Sequence, residues 1–162
     1  MIDKTTNSKA DETDNMKKLY LMRHGETLFN KLGKIQGASD SPLTEVGIKQ
    51  ARIAKEYFQN HNIKLDAYYS STQERASDTL EIIIGNKKYK RIRELKEWNF
   101  GIFEGEREYL NPKRPIGETS YGDSFVPYGG ESSKVVQERI NKGLTKIMEQ
   151  ENNQNVLAVS HG

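Results

Sequence analysis

Two apolar runs at opposite ends of the chain stop in the same way, and that repetition constrains the fold more than any other feature. Residues 19–22 are Leu-Tyr-Leu-Met and give way to Arg23-His24-Gly25-Glu26, while residues 156–159 are Val-Leu-Ala-Val and give way to Ser160-His161-Gly162. Short continuous apolar runs are typical of parallel strands covered on both faces. Ligands of open α/β sheets gather outside the carboxyl ends of the strands. Two such strands, side by side and parallel, therefore bring His24 and His161 to one pocket. A glycine after each histidine removes a side chain from the pocket rim.

The chain between these runs alternates between helix and strand signals. A polar, glycine-punctuated loop follows the first strand, and Thr44 is placed to cap a helix. Along that helix Ile48, Ala51, Ala54, Tyr57 and Phe58 recur on one face, up to about Asn60. His61, between two asparagines, reads as a surface residue. Residues 66–70 form a second strand, and Ser71-Thr72 are placed to cap a helix whose Ala76, Thr79, Leu80 and Ile83 point inward. Strand-helix-strand-helix order implies right-handed crossovers and a parallel α/β sheet. The basic stretch 87–93 reads as a solvated strand edge, where lysines discourage edge pairing. Residues 106–130 hold three of the four prolines and irregularly spaced aromatics, which predicts a long loop or lid. After Gly130-Glu131-Ser132-Ser133, a last helix carries Val136, Ile140, Leu144 and Ile147 on one face.

Composition narrows the class of function. With 162 residues, 34% hydrophobic and 30% charged, the chain fits one domain with an ordinary core. Residues 1–16 are read as a disordered extension and 17–162 as the domain, and Met16 would serve as a natural start. A formal charge of +2 gives no argument for nucleic acid or a membrane surface, though it suits a small anionic substrate. No apolar stretch is long enough to span a membrane. The absence of cysteine removes disulfides and thiolate metal sites and fits a reducing cytoplasm.

The chemistry follows from the residue types gathered at the sheet edge. Arg75 falls in the first turn of its helix, where a cation opposes the helix dipole and so invites a functional reason. Glu97 lies beside Trp98 and Phe100, whose apolar surroundings raise a carboxyl pKa and suit it to donate a proton. Two imidazoles, two guanidinium groups and one protonated carboxyl are a poor metal site, since there is neither a His-Glu-Xaa-Xaa-His pattern nor a carboxylate cluster. They suit a phosphoryl group. Arginines grip phosphate oxygens, a neutral imidazole attacks phosphorus and a carboxylic acid protonates the departing oxygen.

The run Arg23-His24-Gly25-Glu26-Thr27, with Asn30 beyond it, resembles the signature of the histidine phosphatase superfamily, the phosphoglycerate mutase-like proteins. Further motifs follow in that family's order: Gln36-Gly37, Pro42-Leu43-Thr44, Ser70-Ser71 before Arg75-Ala76, Leu95 and Glu97 before Gly101, Gly130-Glu131-Ser132 and Ser160-His161-Gly162. The resemblance implies a three-layer α/β/α sandwich around a mostly parallel sheet. It implies His24 as nucleophile, forming a phosphohistidine, with Arg23 and Arg75 clamping the phosphate and His161 stabilising the transferring group. Glu97 corresponds to the proton donor, Asn30 to a phosphate or substrate contact, and Gln36 and Gly37 to substrate contacts. No metal or cofactor is called for, and the expected partner is a small phosphorylated metabolite.

Within the family, residues 105–130 look shorter than the insertion of the cofactor-dependent mutases, which favours hydrolysis over phosphoryl transfer between two acceptors. The family also continues for several tens of residues beyond the position of Gly162. This predicts that a central final strand has one apolar face uncovered, inviting instability or association. The same departure sustains a rival reading, a catalytically impaired member that only binds phosphorylated ligands.

Overall fold

In the computed structural model, which describes residues 16–114 and 116–162, the first apolar run is strand β1 (Lys18–Arg23). The expectation for residues 1–15 lies outside the described residues. A single helical turn, α1 (Leu28–Lys31), follows, closed by a capping box between Thr27 and Asn30. Helix α2 (Glu45–Asn60) begins where Thr44 predicted it, with the Thr44 hydroxyl accepting the Gly47 amide at 3.1 Å. Glycine at 47 has a steric cause, because a side chain there would strike the backbone of Glu26. The amino end of α2 thus presses directly on the turn that follows β1.

Strand β2 (Ala67–Ser71) leads into helix α3 (Glu74–Ile84), and the short strand β3 (Lys90–Ile92) follows. Ser71 and Thr72 are not the cap of α3, contrary to the sequence expectation. The N-cap is Gln73, which makes no side-chain capping bond. The Glu74 amide instead donates to Asp40 Oδ2 at 2.6 Å, a cap supplied from 34 residues upstream. Four 3₁₀ turns (Arg93–Leu95, Gly101–Phe103, Glu108–Leu110 and Val126–Tyr128) punctuate the long connection to helix α4 (Ser133–Met148) and strand β4 (Asn155–Ser160).

The four strands are all parallel, in the order β1-β4-β2-β3. The two histidine-bearing strands are neighbours in register, with Met22 opposite Val159 and Arg23 opposite Ser160. The basic stretch supplies β3 at the sheet edge, as its lysines predict.

Alternation along β4 builds both halves of the core. Leu157 and Val159 face α2 and α3 with Ala51, Ala76, Leu80, Ile83 and Ile84; Val156 and Ala158 face α4 with Tyr69, Leu95 and Ile147. This is the three-layer α/β/α sandwich. The expected uncovered face of the last strand is corrected by the same observation, since Val156 to Val159 are all fully buried. Helix α4 covers the face opposite α2 and α3, so apolar exposure falls on the edge strand instead, at Leu21, which is 50% exposed. Tyr57, expected on the inner face of α2, is 53% exposed and packs its ring on His61 at 4.1 Å. His61 itself is exposed, as expected. The connection 106–130 is irregular but not merely a lid, because Phe125 is fully buried among Trp98, Phe100, Phe103 and Tyr121.

Leu157 touches the core from the central strand, where the sheet leaves little room to collapse. Leu157→Ala is expected to cost about 2–5 kcal/mol, read as a lowered urea midpoint with unchanged slope. A loss under about 1 kcal/mol would mean that the α2–α3 layer is not the close-packed core described here.

Candidate active site

The site forms where β1 and β4 end together. The His24 amide donates to the Ser160 carbonyl at 3.0 Å, carrying the strand pairing one residue past the last ladder position. Gly25 then turns the chain, its amide held by Thr79 Oγ1 of α3 at 3.0 Å. Close packing against Gly47 leaves no space for a side chain at 25. These contacts fix the backbone that carries the His24 ring.

The tautomer of His24 follows from its partners. Nδ1 lies 2.7 Å from the Gly25 carbonyl, which can only accept, so Nδ1 carries the hydrogen and Nε2 keeps its lone pair. Arg75 Nε donates to that lone pair at 3.3 Å. Burial is the main reason the His24 pKa falls to about 4, with Arg75 and Arg23 adding to the effect against an opposing hydrogen bond to Gly25. His24 is thus a neutral, oriented nitrogen base at neutral pH.

Arg75 is fully buried, and three of its four remaining N–H groups are matched. Nη1 donates to the Ser39 carbonyl at 2.8 Å and to Asp40 Oδ1 at 3.0 Å, and Nη2 to the Gly37 carbonyl at 3.0 Å. The loop at 37–40 therefore wraps the guanidinium and leaves its edge toward His24. Arg23 is exposed at the rim and has no acidic partner among the described residues.

The second imidazole stands at a ring-to-ring distance of 5.2 Å, inclined by 61°. His161 Nε2 is 2.9 Å from Ser71 Oγ, while Nδ1 is buried without a hydrogen-bond partner, 3.8 Å from Glu97 Oε2. Desolvation, assisted by Arg75 and His24, lowers its pKa to about 2. Glu97 is pushed the opposite way, upward, because burial disfavours its charged form more than the Trp98 amide and the three nearby arginines favour it. An unpartnered imidazole nitrogen beside a carboxyl inclined to keep its proton is an arrangement awaiting a ligand.

His24, Arg75, Glu97 and His161 are therefore brought together, with Arg23 beside them. Asn30 lines a cavity of about 330 Å³ that meets this group at Arg23 and His24 and is otherwise walled by Glu26, Gln50 and Glu108; its Oδ1 also accepts from the Thr27 amide and hydroxyl. Gln36 is buried, its Oε1 accepting the Ser41 hydroxyl at 2.9 Å, and it is not among the residues lining that cleft. Gly37 contributes its carbonyl to Arg75 and Gln73. A larger groove, of about 680 Å³, runs along the outer surface of α2, remote from these groups.

Sequence reasoning missed Asp40, which pairs with Arg75, and Gln73, whose Oε1 accepts the Glu97 amide at 2.9 Å. Neither gives a local signal, since each partner lies more than 20 residues away. One ligand atom each from His24, Glu97 and His161 lie within 4.8 Å of one another. A cation there would face Arg75, whose Nε already occupies the His24 lone pair. The charge of the site suits an anion instead.

Fold and site together define an α/β protein whose paired histidines and buried arginine meet at the carboxyl ends of parallel strands. The chain belongs to the histidine phosphatase superfamily (branch 1), whose family model matches residues 19–162. It is 34% identical to the probable phosphoglycerate mutase GpmB of Yersinia pestis (strain Pestoides F), covering 91% of this chain and 70% of that protein. Among solved structures it resembles phosphoserine phosphatase from Entamoeba histolytica in complex with 3-phosphoglyceric acid, with a TM-score of 0.74 and 36% identity over 91% of this chain and 75% of that one. A putative alpha-ribazole-5'-P phosphatase from Escherichia coli matches with a TM-score of 0.72 and 27% identity, over 91% and 74% of the two chains. No helix among the described residues is long and apolar enough to cross a membrane.

The two neutral imidazoles make stability depend on pH with a definite sign. Between about pH 6.5 and 4 the unfolded chain protonates a histidine that folded His24 does not, so stability falls as pH drops through this window, and His161 extends the loss toward pH 2. Glu97 works in the opposite sense, favouring the folded state below its ordinary carboxyl pKa and losing that contribution as pH rises through its raised value. Urea midpoints should therefore decline from pH 7 to pH 5, and the double variant His24→Gln/His161→Gln should flatten the decline. An unchanged slope in the variant would assign the acid loss to carboxylates elsewhere.

Proposed function

We propose that the chain hydrolyses a small phosphomonoester, without metal, through a phosphohistidine formed on His24. The observation that carries this reading is the hydrogen bond from His24 Nδ1 to the Gly25 carbonyl, which leaves Nε2 unprotonated beside a buried guanidinium. The substrate phosphate enters between Arg23 and Arg75, and the Arg75 donor that ends on Nε2 turns to a phosphate oxygen. Nε2 attacks phosphorus as the bond to the leaving oxygen breaks, and Glu97 gives its proton to that oxygen. His161, neutral, accepts the Ser71 hydroxyl at Nε2 and so carries its hydrogen on Nδ1, which donates to a phosphoryl oxygen during transfer. Water then attacks the phosphohistidine, Glu97 takes up a water proton, and inorganic phosphate leaves with His24 restored.

A second reading keeps the same first half-reaction but returns the phosphoryl group to a second acceptor. It is favoured by the name of the Yersinia relative, a probable phosphoglycerate mutase. The readings separate on one dependence: a mutase needs a bisphosphoglycerate primer, whereas a phosphatase releases inorganic phosphate without one. If neither reaction occurs and phosphate or vanadate still raises the melting temperature, the chain is a phosphate-binding member of the family.

Phosphate release and trapping of a phosphoenzyme should both disappear in His24→Ala; retained turnover excludes His24 as nucleophile. Arg23→Gln removes an exposed charge and should leave folding unchanged. It should nonetheless slow turnover about tenfold to a hundredfold, the value of about 1.5–3 kcal/mol for a charge-assisted hydrogen bond. A change below twofold takes Arg23 out of the site.

A further inference from the structure

The segment that carries Glu97 has no regular structure of its own. Residues 96–100 lie between two 3₁₀ turns, Arg93–Leu95 and Gly101–Phe103, so neither a strand ladder nor a helix fixes the backbone of Glu97. Buried backbone groups must then find side-chain partners. They find them in one arginine of α4.

Arg139 has five N–H donors and places all of them on this segment or on its brace. Nη1 donates to the carbonyls of Glu94 at 2.9 Å and Lys96 at 2.7 Å, and Nη2 to the carbonyl of Glu97 at 3.2 Å. The remaining two bonds go to Glu131, from Nη2 to Oε2 at 2.8 Å and from Nε to Oε1 at 3.1 Å. Glu131 in turn holds the far side of the segment. Its Oε2 accepts the Asn99 amide at 2.9 Å, its carbonyl accepts Trp98 Nε1 at 2.7 Å, and its amide donates to the Asn99 carbonyl at 2.8 Å. The Glu97 residue is thus held at both ends of its main chain, by Gln73 at the N–H and Arg139 at the C=O.

We propose that Arg139 and Glu131 are a positioning pair for the reaction, holding the Glu97 carboxyl at its place beside His161 so that it meets the leaving oxygen; this rests on Glu97 being the proton donor. The pair touches neither nucleophile nor phosphate and acts through the backbone of 94–99. A displacement of about 1 Å of a reacting group costs on the order of a hundredfold in rate, so a brace with this many bonds matters to the chemistry as well as to folding. Lysine at 139 offers three donors without the planar fork and satisfies only part of the set.

The alternative is that Arg139 only staples α4 to the sheet, and the leaving group distinguishes the two. Phenyl phosphate needs its departing oxygen protonated far more than p-nitrophenyl phosphate does, while the two have similar shape. The full chain, Glu97→Gln, Arg139→Met, Arg139→Lys and the double variant Glu97→Gln/Arg139→Met are compared on both substrates. Arg139→Met is expected to lower kcat/KM, which reports only the steps up to departure of the leaving group, on phenyl phosphate by about tenfold or more and on p-nitrophenyl phosphate by less than about threefold, with Arg139→Lys between it and the parent. In the Glu97→Gln background it should add nothing further on phenyl phosphate. Equal losses on both substrates, or a full further loss in the double variant, overturn the positioning role while leaving the acid assignment standing. A Glu97→Gln variant that lowers kcat/KM on both substrates alike defeats the acid assignment itself and this proposal with it. If Arg139→Met melts below the assay temperature, Glu131→Gln, which keeps the shape of the brace and removes its charge, should show the same substrate dependence at smaller size; an even loss there overturns the proposal.

Discussion

The structure depends on a guanidinium placed where water cannot reach it. Arg75 is fully buried, and a buried charge is tolerated only when it is paired and hydrogen-bonded. Its partners are the carbonyls of Gly37 and Ser39, the Asp40 carboxylate and His24. Each of those lies in a different stretch of chain from α3, so satisfying one side chain folds the 37–40 loop down onto the helix and joins both to the end of β1. Asp40 serves twice, since its other oxygen caps the start of α3. Removing Asp40, itself partly exposed, would leave the buried Arg75 charge without its carboxylate partner. The loop, the helix start and His24 are therefore a single unit.

The same buried charge sets the protonation of its neighbours. Two imidazoles 5.2 Å apart, close to guanidinium groups and out of water, cannot carry further positive charge, and both stay neutral. Glu97, in the same enclosure, has its charged form disfavoured by desolvation. Burial thus pushes bases toward the unprotonated form and the acid toward the protonated one. The site therefore gathers an unprotonated imidazole nitrogen, a buried guanidinium and a carboxyl inclined to keep its proton.

The long connection between β3 and α4 shows how irregular chain can be held without regular hydrogen bonding. Phe125 is enclosed by Trp98, Phe100, Phe103 and Tyr121, with ring centroids between 4.9 and 6.1 Å from its own. Such pairs contribute about 0.5–1.5 kcal/mol each beyond their area. A backbone crossing assists the cluster: Gly101 adopts φ +61° where the Tyr128 and Gly130 backbones approach, a place with no room for a side chain. The irregular aromatic spacing that reads as a long loop or lid is a second, smaller core, formed because rings from distant positions close on one another. On its outer side, Arg139 and Glu131 complete the support of the Glu97 backbone.

The sequence by itself determined the elements and the kinds of chemistry. Apolar runs ending on His24-Gly25 and His161-Gly162 specify strands and their functional ends, because a buried parallel strand must be apolar until it leaves the sheet. The helical faces of α2, α3 and α4 were legible for the same reason, with Tyr57 misplaced because periodicity assigns a face without showing how far a neighbour covers it. Tertiary structure decided what depends on distance through space rather than along the chain. Asp40 replaced Ser71 and Thr72 at the start of α3, and α4 covered a strand that chain order alone left half bare. Gln73 and Arg139 became the supports of Glu97. Hydrogen bonds between residues 24 to 42 positions apart leave no periodic trace, so only the folded chain reveals which donor satisfies which acceptor.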